Sequence, residues 1–427
     1  MSAAAVRPVW LPIHWPTHAP RPNGEPLLQA AILFVLLSLT VLDRFGLRVL
    51  PDWSLPPPIL AMYVLAATML LTGAAALNRR SALGFVAVVA SAGLSFLVNT
   101  WFEPRPHQSI TSWLLVILSY APFVLTLAGD TDPRLWRWTL RMFIGFTLLV
   151  AIAGIAQFAA QFVLRPIWLF DYTSFIPEPI RTAQGWRTVH PVADWVQSDG
   201  YWMKSNGFFL REPSIFSLAM ALGMVCELAL GARRWVLALL AAALVLSYSG
   251  SGVLCLAVAM AFPLGRRTLV RVIGLALLAA LLLVLFGDAL NLSYTLHRAA
   301  EFGSENSSAY CRFVHPWLSV LQQLDTNWWS ALLGHGPGSM TRAGASCADL
   351  HEPTYGKLLF EYGLAGAVAF GVFVVQALNR ARAPLRLRVA LGVSWLFLGG
   401  HLVNSELLPT IFLLSAMWPA GAASGRR

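Results

Sequence analysis

A series of long apolar runs is the feature that most constrains how this chain can fold. Few charges interrupt the runs, and only 12% of the 427 residues are charged, against roughly 25% in soluble domains. The sequence therefore predicts an all-α polytopic integral membrane protein, because helices satisfy their own backbone polar groups inside a bilayer. About twelve transmembrane helices are expected from runs near the length needed to span, at residues 27–42, 59–77, 81–102, 110–128, 142–164, 213–231, 235–248, 250–264, 268–287, 355–378, 389–403 and 408–421.

The arginines indicate which ends of these spans face the cytoplasm. Short cytoplasmic segments are enriched in Lys and Arg. Placing the N-terminus inside puts more than half of the 30 basic residues in inside segments, at Arg7, Arg21, Arg79, Arg80, Arg134, Arg137, Arg141, Arg233, Arg234, Arg266, Arg267, Arg271, Arg380, Arg382, Arg386, Arg388, Arg426 and Arg427. Both termini are therefore expected in the cytoplasm. This distribution explains most of the net charge of +10 without a nucleic-acid partner.

The same orientation divides the chain, 1–427, as a single membrane domain with two long outer loops. Residues 1–26 are predicted to be a cytoplasmic tail, because they lack the apolar core of a signal peptide. The outer loops, 165–212 and 288–354, are too long to be simple connections and too aromatic to be disordered. We expect them to be periplasmic, to contain short interfacial helices and to hold the active site.

The first outer loop combines basic and aromatic side chains. Arg181, Arg187 and Lys204 lie among tryptophans, tyrosines and phenylalanines, and Arg211-Glu212 directly precedes a span that begins with Pro213. Arginine forks match paired phosphate oxygens, and aromatic faces can support a sugar ring. This composition fits an anionic, sugar-bearing lipid. An interfacial aromatic belt with arginines that reach to lipid headgroups is the alternative.

Glu212 has two alternative roles at the opening of that span. A helix N-terminus favours anions, so Arg211 there would reinforce phosphate binding. Glu212 could orient Arg211 or act as a base, or it could be a simple N-terminal helix carboxylate.

The second outer loop contains a predicted amphipathic helix at 308–324. Phe313, Val314, Trp317, Leu318 and Leu321 form one apolar face, and Arg312 belongs to the opposite polar face. Pro316 would kink this helix or mark its first turn. We expect a helix on the membrane surface that presents Arg312, or else an amphipathic helix whose polar residues are only solvated.

A glycine-rich stretch and a histidine follow in the same loop. Residues 334–340 read Gly-His-Gly-Pro-Gly-Ser-Met, and His351 precedes Pro353 and an apolar span. At helical spacing, His351 and Tyr355 would share a face. An ionisable residue at a membrane boundary is a functional candidate, although a solvated loop histidine fits equally well.

The four cysteines divide by location. Cys226 and Cys255 lie in apolar spans and are predicted to be packing residues. Cys311 and Cys347 lie in the second outer loop, where an oxidising compartment would allow a disulfide; two unpaired thiols are the alternative. The sequence has no metal-binding motif and predicts no metal or other cofactor.

The order of these motifs resembles the O-antigen ligase and O-antigen (exopolysaccharide) polymerase superfamily of bacterial inner-membrane glycosyltransferases. The resemblance rests on Phe209 with Arg211-Glu212-Pro213-Ser214, the 249–252 Ser-Gly-Ser-Gly turn, Arg312 with Trp317, the 333–339 run with His335, and His351 with 361–366. The turn lacks an arginine that is common in the family, and Glu352 replaces a common asparagine after the histidine.

The resemblance implies glycosyl transfer at the periplasmic face of the inner membrane from an undecaprenyl-diphosphate-linked glycan. The acceptor would be a lipid-linked glycan for a polymerase or lipid A-core for a ligase, and other envelope polysaccharide assembly proteins are possible partners. It implies metal-independent catalysis in which the histidine at position 351 is essential or acts on the acceptor hydroxyl. We expect an inverting reaction in which His351 removes the proton of that hydroxyl. Arg211 and Arg312 would hold the diphosphate, with Arg181, Arg187, Arg298, Glu212, His335 and Tyr355 as further substrate-binding candidates.

The Arg-Glu-Pro-Ser opening at 211–214 favours a polymerase of O-antigen or exopolysaccharide. An O-antigen ligase of lipopolysaccharide biosynthesis is the alternative within the superfamily. A polysaccharide or lipid transporter would place charges or broken helices within its spans, whereas here the charges concentrate in the outer loops. A structural membrane protein without activity is the remaining alternative.

Overall fold

The computed structural model describes residues 24–50, 53–101, 108–128, 133–164, 203–263, 300–305, 307–324, 328–342, 352–379, 383–399 and 402–418. This part of the chain is mainly helical, as the apolar runs predict. Its α-helices are α1 (Gly24–Thr40), α2 (Pro57–Leu71), α3 (Arg79–Trp101), α4 (Ile110–Tyr120), α5 (Pro133–Leu164), α6 (Pro213–Leu230), α7 (Arg234–Leu246), α8 (Gly250–Ala261), α9 (Ser308–Phe313), α10 (His315–Leu324), α11 (Trp328–Leu333), α12 (Ser339–Arg342), α13 (Thr354–Asn379), α14 (Leu385–Val393) and α15 (Leu407–Ala416).

Four short strands also occur, which the all-α prediction did not include. Strands β1 (Leu47–Leu50) and β2 (Trp53–Leu55) pair antiparallel, as do β3 (Ala75–Leu77) and β4 (Leu125–Leu127). The second pair corrects two predicted spans, 59–77 and 110–128. Their helices end earlier, and the remaining apolar residues form a ladder that satisfies their backbone groups in another way.

Four helical stretches in the described residues are long and apolar enough to cross a membrane. They are Arg79–Trp101, Arg134–Leu164, Pro213–Leu230 and Thr354–Asn379. Shorter apolar helices accompany them at Gly24–Thr40, Pro57–Leu71, Ile110–Val124, Arg234–Leu246, Gly250–Ala261 and Leu407–Ala416. These helices are those of a membrane protein. The count of about twelve spans stays a prediction, and predicted span 268–287 lies outside the described residues.

Helix α6 packs among α5, α7 and α8 and begins at Pro213, as predicted. A Cβ atom on Gly252 would lie 2.2 Å from the carbonyl oxygen of Ser217, so only glycine allows α8 to cross α6 this closely. The Gly252 N–H donates to Ser217 Oγ at 3.1 Å. This crossing places the 249–252 turn beside the opening of α6.

Helix α13 packs along α3 and is kinked at Gly363, whose φ of +62° is not helical. The kink interrupts the helical hydrogen bonds that the carbonyls of Phe360 and Glu361 would otherwise accept. Both carbonyls accept from the glycine-rich stretch instead, at 2.9 Å from His335 N and 2.9 Å from Gly336 N. The broken helix therefore holds the glycine-rich loop in place.

Candidate active site

Arg312 lies where three segments that are distant in sequence meet. Its Nη1 is 3.4 Å from Ser251 Oγ at the start of α8. Its backbone carbonyl accepts a hydrogen bond of 2.9 Å from Tyr355 Oη at the start of α13. Arg312 itself is half-buried in α9. The structure thus brings together two candidates, Arg312 and Tyr355, with the serine-glycine turn.

The helix predicted at 308–324 is divided into α9 and α10, with a break at Val314. Pro316 is the second residue of α10, a first-turn position that fits its missing N–H and fixed φ. The predicted apolar face is present on α10. Trp317 and Leu321 are exposed, whereas Ser319 on the opposite side is buried. The side of α10 that carries Ser319 therefore faces the protein.

His315 and Glu352 form a contact beside Arg312. His315 Nδ1 lies 3.2 Å from Glu352 Oε1, and only 4% of the Glu352 side chain is exposed. Burial lowers the pKa of His315 below its ordinary value, which favours a neutral imidazole that donates to the carboxylate. This pair attaches the segment that precedes α13 to the start of α10.

Aromatic rings complete this side of the site. The Tyr355 ring lies 5.2 Å from the Trp317 ring and 5.3 Å from the Phe397 ring, measured between centroids. Phe397 belongs to a π-helical turn, Ser394–Leu398, which follows α14. The Tyr355 ring therefore lies between α10 and the π-helical turn that follows α14, and its hydroxyl donates to the carbonyl of Arg312.

Arg211 occupies a different environment from Arg312. Its Nε lies 3.3 Å and its Nη2 3.2 Å from the two carboxylate oxygens of Asp43, and Nη2 lies 3.0 Å from Ser405 Oγ. It also pairs with the carboxylate of Glu406, the residue before α15. Only 6% of Arg211 is exposed. Arg211 is thus a buried cation between two carboxylates.

Arg44 completes this buried cluster of charges. It is fully buried and donates to the carbonyls of Phe209 and Leu210, at 3.1 and 2.6 Å. Burial raises the pKa of Asp43 above its ordinary value, and the positive charges of Arg211 and Arg44 oppose that shift. The cluster connects the residues that precede α6 to the residues that follow α1 and to the residue that precedes α15.

Among the alternative roles of Glu212, these contacts do not favour the one in which it orients Arg211. Glu212 accepts a 2.8 Å hydrogen bond from Ser214 Oγ, and Asp43 and Glu406 orient the arginine. The segments with Asp43, Arg211 and Glu406 were all predicted to lie at outer span ends, where their side chains meet.

Helix α13 begins at Thr354, and Glu352 and Pro353 are not helical. His351 lies outside the described residues, and its shared face with Tyr355 stays a prediction.

The glycine-rich loop lies against α3 and α4. Asn99 Nδ2 donates to the Gly334 carbonyl at 3.1 Å, and the Ser109 N–H donates to the Pro337 carbonyl at 2.8 Å. The His335 ring packs edge-on against Phe360, with 4.9 Å between centroids. A role for His335 in substrate binding stays a prediction.

Several predicted residues lie outside the described residues: Arg181, Arg187, Arg298, His351 and Cys347. Cys311 is disulfide-bonded, and the pairing with Cys347 stays a prediction. Cys226 and Cys255 are buried and free, as expected of packing residues.

The described part of the chain contains no group of three or more His, Cys, Asp or Glu residues that could hold a metal ion.

The residues that contact Arg211 and Arg312 were not identified from the sequence. Asp43 and Glu406 each stand at the end of an apolar run, on the side that the arginine distribution predicts to be outside. A charge at such a position is costly without a partner, and this was the available signal. Ser251 and His315 had no comparable signal, because their contacts depend on how distant segments pack.

Comparison with protein families identifies a match over most of the chain. The family of the WcaD colanic acid polymerase matches residues 58–414. This range includes Arg211, Arg312, Tyr355 and Glu406. Comparison with curated proteins and with solved structures finds no match.

Proposed function

Because the chain belongs to the WcaD colanic acid polymerase family, we propose that it lengthens a polysaccharide with repeat units from a lipid-diphosphate-linked glycan. The family indicates a glycosyltransferase-type enzyme that makes a polysaccharide. It does not favour the ligase alternative, in which a finished glycan is joined to lipid A-core. We further propose that the lipid is undecaprenyl and that the reaction occurs at the periplasmic face of the inner membrane, as the arginine distribution predicts.

The observation that carries this proposal is the junction at Arg312. The half-buried guanidinium of Arg312 lies beside the Ser251 hydroxyl at the start of α8, and the Tyr355 hydroxyl at the start of α13 donates to the backbone carbonyl of Arg312. Guanidinium and hydroxyl groups are suitable donors to phosphate oxygens. Arg312 is therefore proposed to bind the diphosphate and to offset the charge that it gains as it leaves.

The proposed reaction is an inverting displacement. His351 removes the proton of an acceptor hydroxyl, since the ordinary pKa of histidine suits a base near neutrality. The acceptor oxygen attacks the anomeric carbon, the bond from that carbon to the phosphate oxygen breaks, and the lipid diphosphate leaves with the electron pair. Because the diphosphate is already a good leaving group, alignment of the two substrates supplies much of the rate enhancement. This proposal needs no metal ion.

Arg211 is proposed to act through position rather than through direct contact with phosphate. Asp43 and Glu406 already neutralise its charge, and a phosphate would have to displace a buried carboxylate. The ion pairs hold the opening of α6, and α6 in turn packs on the turn that contains Ser251. Arg211 therefore supports the Arg312 junction from the adjacent helix.

The transporter alternative requires separate consideration, because α13 is a broken helix. In transporters, the carbonyls exposed at such a break coordinate ions or substrate. Here the Phe360 and Glu361 carbonyls accept hydrogen bonds from the glycine-rich loop, and the Glu361 carbonyl also accepts one of 3.0 Å from Ser95 Oγ. The break therefore fixes a loop, and this favours the polymerase.

Substitution of Arg312 tests the proposed contact with the diphosphate. We expect Arg312→Ala to lower kcat/KM for a lipid-diphosphate-linked repeat unit by about 10²- to 10³-fold, the usual effect of removing one donor that stabilises a developing charge. Arg312→Lys retains the charge and should recover part of the loss. Arg342, an exposed arginine in the same outer loop, provides a matched control, and Arg342→Ala should remain near wild type. Equal rates for the two alanine variants would disprove the Arg312 contact.

A further inference from the structure

Helices α10 and α11 present the same apolar pattern away from the protein. On each helix, large apolar side chains recur at positions i, i+1 and i+4, and each is 38–62% exposed. The six residues are Trp317, Leu318, Leu321, Trp328, Trp329 and Leu332, which we term the apolar stripe. Neither helix contains Asp, Glu, Lys or Arg.

The opposite sides of both helices face the protein. Ser319 on α10 and Ser330 and Leu333 on α11 are buried. A Cβ atom on Gly356 would lie 2.6 Å from Pro316 Cβ, so α10 is packed directly on the start of α13. Each helix therefore already packs its opposite side against the protein core, and the apolar stripe is a second, separate apolar surface.

The position of α11 along the bundle coincides with a membrane boundary. Helix α3 has Arg80 at one end and Asn99 at the other, 19 residues later. At 1.5 Å per residue this separation is roughly 28 Å, close to the thickness of a hydrocarbon core. Asn99 bonds to Gly334, the residue that follows α11. With Arg80 at one boundary, α11 lies near the other.

The apolar stripe is continuous with the outward face of α13. A Cβ atom on Gly363 would lie 2.5 Å from the Leu332 carbonyl, so the stripe reaches the kink of α13. From Thr354 to Gly363 no side chain of α13 is exposed. Immediately afterwards, apolar side chains are exposed along one face, at Leu364, Val368, Val372 and Val375. Exposure of apolar side chains on α13 thus begins at the level where α11 lies.

We propose that α10 and α11 rest on the membrane leaflet opposite Arg80, with the apolar stripe immersed in lipid at the hydrocarbon boundary. Amphipathic helices lie in this plane with their apolar side in the lipid, and tryptophans are enriched there. The stacked rings of Trp328 and Trp329, 3.7 Å apart between centroids, would anchor α11 at this boundary. This placement follows from the packing of α10 and α11 and from their level along the helix bundle, and it does not depend on the proposed reaction.

Spin labels in liposomes test the position of the stripe. Leu321→Cys and Trp329→Cys would each carry a nitroxide in the full-length protein, whose Cys226 and Cys255 are buried. Collision rates with oxygen, which partitions into lipid, and with a water-soluble nickel chelate would be measured. Ser304→Cys, an exposed polar position in the same outer loop, is the polar control, and Val372→Cys is the lipid control.

We expect the ratio of oxygen to nickel collisions at both stripe positions to exceed that at Ser304 and to approach that at Val372. A ratio equal to that at Ser304 would place the stripe in water and overturn the proposal. Shielding from both reagents would indicate a protein partner, such as a second copy of the chain, and would overturn it as well.

Discussion

At the scale of single residues, two arginines with one predicted role have different surroundings. Arg312 is half-buried with its guanidinium beside the Ser251 hydroxyl, whereas Arg211 is buried between Asp43 and Glu406. A buried arginine requires counter-charges because the loss of hydration must be offset. Arg211 therefore stabilises the fold of the site, and Arg312 is the better candidate for contact with substrate.

Replacing Arg211 should destabilise the protein as a whole. Arg211→Ala leaves Asp43 and Glu406 buried without their shared cation, and we expect a loss of about 3–5 kcal/mol in the free energy of unfolding. Thermal unfolding in detergent measures the change. Glu212→Gln is the matched control, since Glu212 contacts Ser214 and should unfold near the wild-type temperature. An Arg211→Ala protein of normal stability but without activity would instead indicate direct contact with substrate.

The contact between His315 and Glu352 predicts a dependence of stability on pH. Burial lowers the pKa of His315 in the folded state, so the unfolded chain binds more protons between that pKa and about 6.5. Stability therefore rises with pH through this window and is lost as the pH falls below about 6.5. The His315→Gln variant lacks the imidazole and therefore lacks this part of the pH dependence of stability.

The measurement compares the thermal unfolding of wild type and His315→Gln between pH 7 and pH 5. The wild-type unfolding temperature should fall more steeply toward acid than that of the variant. Parallel curves would show that His315 does not titrate differently in the folded and unfolded states.

The residue-scale predictions from sequence succeeded where the signal was local. Pro213 opens α6, and Cys226 and Cys255 are buried. The partners of Arg211 lie 168 and 195 positions away in the chain. No local pattern relates such residues, and only packing brings their charges together.

At the scale of elements, the kink in α13 determines where the glycine-rich loop lies. Gly363 and Gly334 have positive φ values of 62° and 74°. A Cβ atom on either would lie 2.5 Å or less from backbone atoms of the other segment. Both positions therefore require glycine, for conformation and for close approach.

Substitution at the kink has a matched control within the same helix. Gly363→Ala should destabilise by about 2–5 kcal/mol, since left-handed strain of about 1–2 kcal/mol adds to overpacking of about 1–3 kcal/mol. Gly371 has no atom near its Cβ position, and Gly371→Ala should be neutral or slightly stabilising. Thermal unfolding compares the two. Similar unfolding temperatures would mean that the kink is not required.

Elements with a strong helical period were the more predictable ones. The apolar face of α10 follows directly from its spacing, although Pro316 divides the predicted helix from α9. The kink at Gly363 has no such signal, because a glycine in an apolar run is equally compatible with a straight helix. The position proposed for α10 and α11 would place Arg312 near the lipid headgroups, where the phosphates of the proposed lipid-linked donor would lie.

At the scale of the whole molecule, the apolar runs predict a helical membrane protein, and the described residues contain four long apolar helices. The family match indicates a polymerase, as the Arg-Glu-Pro-Ser opening at 211–214 predicts. The meeting of Asp43, Arg211 and Glu406 agrees with an arrangement in which all three lie at outer span ends. The periplasmic orientation of this side is a proposal that rests on the arginine distribution.

Polymerisation by the purified protein is the most direct test of the central claim. The protein in detergent would receive an undecaprenyl-diphosphate-linked repeat unit alone or together with lipid A-core, as wild type and as His351→Ala. We predict a ladder of lengthened glycans from the repeat unit alone, lost in His351→Ala. Product only in the presence of lipid A-core, or no product that depends on His351, would contradict the account.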